Sequence, residues 1–256
     1  MNKIIFSLAF IAQLSIAGAS VPSESDFLRS CYAVCGEFQL EPNYLDGVAE
    51  MNLSGEGLRL YRRAVELKKN LKQLGRYDES LVREALLTNA RAWVMGNGAT
   101  FPAPGLTALQ TAAIQQYTGE EYKTINPALR SPGPIAPEII AYRDFINDAL
   151  FHLPKYLGMA HRGVNAFNGW DKIYVEGQQV TERAFTSTSF DFNDFKFASD
   201  ICILVHSKSG RDISLISRSG KEKEVLYPAG TTFLVRKIDP NWNQSRGRIL
   251  IELEEN

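Results

Sequence analysis

Two glutamates one residue apart, Glu222 and Glu224, stand in the run Gly220-Lys221-Glu222-Lys223-Glu224-Val225-Leu226-Tyr227-Pro228-Ala229-Gly230-Thr231-Thr232-Phe233. On an extended backbone side chains alternate, so both carboxylates face one way and both lysines the other. Paired carboxylates suit cleavage of an N-glycosidic bond, because the sugar becomes a positively charged oxocarbenium ion that fixed negative charge stabilises. The same residues also describe a solvated edge strand whose charges discourage pairing with another edge.

Three other stretches carry groups that could join them. Gly158-Met159-Ala160-His161-Arg162-Gly163 ends a strand on an arginine. Its planar fork can hold a phosphate, while Gly163 lets a ligand approach the backbone. His161 reads as a structural histidine. In Phe185-Thr186-Ser187-Thr188-Ser189 the hydroxyls of Ser187 and Ser189 share a face, where they could orient a carboxylate or bond a ribose. Between Ala113 and Arg130, Thr118 and Glu121 form a Thr-x-x-Glu capping box that predicts a helix start. Tyr122 and Asn126 then fall on one face, with Tyr117 just before the cap. Ile125 and Leu129 belong to a core, whereas Asn126 in a helix interior asks for a polar partner such as a ligand.

The elements that must position these groups change character along the chain. Helical spacing predicts helices over 24–35, 56–74, 78–94, 106–117, 119–129 and 137–151, with Gly/Pro-rich breaks at 96–105 and 131–134. After Leu157 the pattern turns to short strands: Met159–Gly163, Ala184–Ser189, Ile201–His206, Ile213–Ser217, Glu222–Tyr227, Thr231–Ile238 and Arg248–Leu253. Helices followed by strands, without alternation, predict an α+β fold.

Residues 1–19 read as a secretory signal peptide: Lys3, an apolar stretch from Ile4 to Ile16, and Ala17-Gly18-Ala19 before Ser20. A secreted product is expected, with residues 20–256 as one domain: a helical part over 20–105 and a ligand-binding and catalytic core over 106–256. No later segment approaches the ~20 apolar residues of a membrane span. A net charge of −1 speaks against a protein that grips nucleic acid through its phosphates. In an oxidising compartment Cys31 and Cys35 could form a short-loop disulfide, although the spacing is awkward in a helix. Cys202, inside an apolar strand, reads as a buried small hydrophobe.

The order of these pieces, Tyr-x4-Tyr-x3-Asn, His-Arg-Gly, Ser-Thr-Ser, then Glu-x-Glu leading into Val-Leu-Tyr-Pro-Ala-Gly-Thr, resembles the Arg, Ser-Thr-Ser, Glu-x-Glu class of mono-ADP-ribosyltransferases over about residues 106 to 238. The resemblance implies an ADP-ribosyltransferase-like fold in which N-terminal helices pack on a core of two antiparallel or mixed β-sheets. It implies a toxin that transfers ADP-ribose from NAD, a co-substrate and not a resident cofactor, to arginine on a host protein. Arg162 would hold a phosphate or ribose of NAD, Ser187 would orient Glu224, and Glu224 would stabilise the oxocarbenium ion. Glu222 would engage the acceptor; in this family a glutamate there goes with arginine. Tyr117, Tyr122, Asn126 and Gly163 would line the NAD site, and Phe197 would stack on nicotinamide. A monomer is expected. Two departures stand out: Ala198-Ser199-Asp200 where relatives place a basic residue, and Ser219 where several have an aromatic.

Two rival readings share these residues: an NAD glycohydrolase, in which water replaces arginine, and a secreted NAD-binding protein without turnover. The three histidines and three dispersed cysteines have no zinc spacing, so no metal site is expected. Gly96-x-Gly98 lacks the rest of a dinucleotide fingerprint, and neither a Gly-x-Ser-x-Gly elbow nor a Walker loop is present.

Overall fold

A computed structural model describes residues 22–35, 53–75, 77–194, 199–218, 222–243 and 248–256. Residues 1–19, on which the signal-peptide expectation falls, lie outside these residues, as do Phe197 and Ser219 and the side chain of Cys35, and with it the Cys31–Cys35 pairing.

The first half is helical, as its periodicity predicts: α1 (Glu24–Cys35), α2 (Gly55–Leu74), α3 (Glu79–Asn97), α4 (Ala108–Gln116), α5 (Tyr122–Arg130) and α6 (Pro137–Phe151). Local chemistry sets the ends. The Asp78 side chain accepts from the Leu81 N–H to cap α3, and Gly98 closes it in the left-handed conformation at φ 71°. Thr107 and Gln110 form a reciprocal capping box on α4. The helices share one core in which Phe27 of α1 stacks on Phe145 of α6 at 4.4 Å and Leu67, Val82 and Leu86 are buried.

The expected helix start at Thr118 is absent, because α4 does not stop. It runs through a π-helical turn, Tyr117–Glu121, straight into α5. The Thr118 hydroxyl donates to the Gln115 carbonyl at 3.1 Å instead of capping a helix. Residues 117 and 126 would lie on opposite faces of a straight α-helix with about 3.6 residues per turn. The wider turn changes that phase, and the Tyr117 hydroxyl comes within 3.0 Å of Asn126 Nδ2.

The strands are β1 (Gly158–Val164), β2 (Gln179–Thr181), β3 (Thr186–Ser189), β4 (Ile201–Ser207), β5 (Arg211–Asp212), β6 (Glu224–Tyr227), β7 (Thr232–Asn243) and β8 (Arg248–Glu255), with a short helix α7 (Trp170–Ile173) after β1. They form one mixed eight-stranded sheet in the order β2-β7-β8-β4-β1-β3-β6-β5, not the two sheets expected from the sequence. The join is narrow: β1 and β3 meet at the single pair His161↔Ser189. The sheet folds back across this join, so that Val225 and Tyr227 of β6 share a core with Ile203, Phe233 and Ile251 of β4, β7 and β8, strands that are not its neighbours in the sheet, and the Tyr227 and Phe233 rings lie 5.4 Å apart. Leu226 belongs to the helix-side core, while its neighbours Val225 and Tyr227 belong to the core on the other face with Phe233 and Ile251.

Two other expectations change. Ile213–Ser217 is a turn and not a strand, closed by the Ile216 and Ser217 N–H groups donating to the Ile213 carbonyl at 2.9 and 2.7 Å. The strand carrying the glutamates begins at Glu224, because Lys223 is left-handed at φ 44°. Such a residue costs about 1–2 kcal/mol. The turn is held by the Phe190 N–H donating to the Lys223 carbonyl at 3.1 Å and by a 3.0 Å ion pair from Lys223 to Asp191.

Candidate active site

Residues 187, 189, 224 and 226 share one face of the β3–β6 pair, since Ser187 lies opposite Leu226 and Ser189 opposite Glu224. Leu226 on that face is core, so Glu224, two residues earlier, is carried to the edge of the same core and is only 6% exposed. It opens on a cleft of about 1100 Å³ between the α3–α5 helices and the end of the sheet.

The cleft gathers Tyr117, Tyr122, Asn126, Arg162, Ser187, Glu222 and Glu224. These are the sequence-predicted site residues from four separate stretches. Gly163 is not in its wall; it pairs with Cys202 inside the sheet. Glu222 lies in the wall although strict strand alternation ends at Lys223, so the left-handed residue, not the pleat, sets where its carboxylate stands.

Glu224 is the most constrained group. Ser187 Oγ donates to its Oε1 at 2.6 Å, and the Ser217 hydroxyl donates to Oε2. Burial pushes its pKa above the ordinary glutamate range and Glu222 pushes the same way, while the two hydroxyls oppose the rise. Arg162 is one of the cations lining the cleft; burial lowers its pKa, and the Glu182 carboxylate raises it. The buried Nε of Arg162 has no hydrogen-bond partner among the described residues. A buried guanidinium N–H left this way is a donor awaiting an acceptor.

On the helical side, Tyr117 is buried with its ring 4.7 Å from Phe185 and its hydroxyl bonded to Asn126. Burial drives its pKa up, so it stays a neutral phenol. Asn126 thus finds part of its polar partner within the protein. His161 Nε2 lies 3.0 Å from the Asp191 carbonyl, consistent with a structural histidine. Asp200, in the segment that departs from the resembled family's basic residue, accepts from the Ala166 N–H at 2.9 Å and ties down the loop after β1. Cys202 is a buried free thiol.

Sequence reasoning missed Arg130, Arg218 and the end of α3 with Trp93, Asn97 and Gly98, all of which line the cleft, and Ser217, which is buried behind Glu224. For Arg130 a signal existed: Tyr122, Asn126 and Arg130 repeat every four residues. Ser217 and Arg218 had none, because only the turn after β5 brings them back. Arg218 donates its backbone N–H to Thr118 Oγ1 at 3.0 Å and lays its side chain on the π turn. A Cβ on Gly119 would lie 2.7 Å from Nη1 and 3.1 Å from Cδ of Arg218. Gly119→Ala would gain about 1 kcal/mol of helix propensity and lose about 1–3 kcal/mol to overpacking. Net destabilisation is expected in thermal melting; a higher Tm would mean that Arg218 moves away freely.

Among the described residues, no cluster of three or more His, Cys, Asp and Glu is placed to hold a metal ion. No helix among them is long and apolar enough to cross a membrane.

Residues 131–255 match the family model of the ADP-ribosyltransferase exoenzymes. Over 165 residues the chain is 36% identical to the Mav protein of Mycobacterium avium (strain 104), covering 62% of this chain and 19% of that protein. Over 138 residues it is 36% identical to the NAD(+)--protein-arginine ADP-ribosyltransferase Tre1 of Serratia proteamaculans (strain 568), covering 53% of this chain and 30% of that protein. The chain therefore spans less than a third of the length of these curated relatives. Among solved structures, the type III effector XopAI from Xanthomonas axonopodis pv. citri is similar with a TM-score of 0.57 at 20% identity, covering 85% of this chain and 89% of that one; at this identity the likeness concerns the fold alone. The matched segment, residues 131–255, carries Arg162, Ser187, Glu222 and Glu224, and it is this segment that is homologous to the ADP-ribosyltransferase exoenzyme family.

Proposed function

We propose that this protein transfers ADP-ribose from NAD to arginine side chains of another protein and releases nicotinamide. The observation that carries this reading is Glu224: a buried carboxylate, clamped by Ser187, in one cleft with Arg162 and Glu222. Enzymes of this family use NAD as substrate.

The roles follow from placement. The orphaned N–H of Arg162 meets the dinucleotide diphosphate, and the Tyr122–Asn126–Arg130 face of α5 borders the same part of the cleft. Ser187, exposed to the cleft, and Glu224 bond the nicotinamide ribose. When the ribose C1′–N bond breaks, its electron pair leaves with nicotinamide. C1′ becomes cationic beside the Glu224 carboxylate, which a low-dielectric wall makes more effective than it would be in water. A guanidinium nitrogen of the acceptor then bonds C1′ and passes a proton to the Glu222 carboxylate as the bond forms. Glu222, exposed at the mouth, holds that guanidinium.

The test is incubation of the protein with labelled NAD and a cell lysate, with Glu224→Ala as control. Labelled protein that loses its label in neutral hydroxylamine is the expected result. Neither label nor nicotinamide release from the wild type would overturn the proposal.

A further inference from the structure

We infer that Ser217 is a positioning residue for Glu224, its buried hydroxyl holding one carboxylate oxygen while Ser187 holds the other. The inference rests on the proposed reading for what Glu224 is used for, but the contact itself is independent of that reading.

The two serines are not equivalent. Ser187 faces the cleft, where a ligand hydroxyl can compete for it, whereas Ser217 is 0% exposed and out of reach of any ligand. It donates to Oε2, on the side of the carboxylate that Ser187 does not touch. Its position is set twice. The turn 213–217 closes on the Ile213 carbonyl, and the next residue, Arg218, is pinned through its N–H to Thr118 in the π turn. This short segment therefore joins the catalytic carboxylate to the helix bearing Tyr117 and Asn126. A carboxylate oxygen accepts about two hydrogen bonds. One hydroxyl on each oxygen fixes rotation about the carboxyl bond and leaves the remaining lone pairs for substrate.

The effect is electrostatic as well as geometric. The titratable and charged groups that line the cleft with Glu224 are Glu222 from its own segment, Arg162 from β1, Tyr117 and Glu120 from the π turn, Tyr122, Lys123 and Arg130 from α5, and Arg218 beside Ser217. Burial and Glu222 favour the protonated acid. A hydroxyl that donates to the charged form counters them, and it is lost in Ser217→Ala.

The experiment is a pH titration of the glutamate side-chain carboxyls by carbon-13 NMR, with Glu224→Gln identifying the Glu224 resonance by its absence. In Ser217→Ala the Glu224 midpoint is expected to rise by about one pH unit, the scale of one hydrogen bond to a charged group. Ser217→Cys, with a weaker donor of similar shape, is expected to shift the same way by less, and it stands in should the alanine variant fail to fold. In turnover, the acid limb of kcat for nicotinamide release should move up with the NMR midpoint while the NAD KM stays within about twofold. A midpoint that stays within about 0.3 units of wild type in the folded variants overturns the inference. If the wild type releases no nicotinamide while the midpoint still moves, the proposed function fails and the role of Ser217 stands.

Discussion

Glu224→Gln is expected to cut nicotinamide release by about 10³-fold and at neutral pH to make the protein more stable. The loss of rate follows from charge. The amide matches the carboxylate in shape and can still bond Ser187 and Ser217, because a hydroxyl can donate to its oxygen or accept from its NH₂. It cannot neutralise a cationic ribose. The gain in stability follows from the sign of the pKa shift. The folded-state pKa of Glu224 is raised, chiefly by burial, so the folded protein binds the proton more tightly than the unfolded chain. The ionised group therefore opposes folding. That penalty is absent below the ordinary glutamate pKa, grows as pH rises through the window up to the raised value, and is constant above it. Glutamine removes it, so the Tm of the variant at neutral pH should lie above that of wild type. The advantage should vanish in acid. Melting curves at both pH extremes check this, and a variant no more stable than wild type at neutral pH would show that the two serines already offset the burial. The same shift predicts an acid limb of activity above the ordinary glutamate range.

Glu222→Ala is expected to separate two reactions. Transfer to an arginine-bearing protein should fall by at least about 100-fold, while hydrolysis of NAD to ADP-ribose stays within about threefold. The division comes from exposure. Glu224 is buried and Glu222 is exposed at the rim, so on the proposed reading the first stabilises bond breaking and the second holds the incoming guanidinium. Water needs no carboxylate to hold it in place. Glu222 also pushes the Glu224 pKa upward, so its removal should move the acid limb of hydrolysis to lower pH. Equal loss of both reactions would mean that the two carboxylates act as one unit, and the separate roles would have to be abandoned.

The site was legible wherever chemistry coincides with local periodicity. Ser187 and Ser189 sit two apart on a real strand, and Tyr122 and Asn126 sit four apart on a real helix, so their faces could be read directly. Reading failed where the backbone leaves its period. Thr118 sits in a π turn with no sequence signature distinct from a capping box, and Lys223 breaks the strand between the two glutamates. Phe197 lies outside the described residues and is neither supported nor opposed.

What the residues alone determined is the chemistry on offer and the two-part order of helices and strands, because side-chain type and hydrophobic period are local properties. Tertiary structure decided the rest. The single narrow join at His161↔Ser189 makes one sheet of eight strands, the turn before β6 delivers Ser217 to the second oxygen of Glu224, and long-range packing brings the end of α3 to the cleft. These contacts lie between segments far apart in the chain or across a turn. Their energy comes from burial and hydrogen bonding that exist only once the core has formed, so no spacing in the sequence records them.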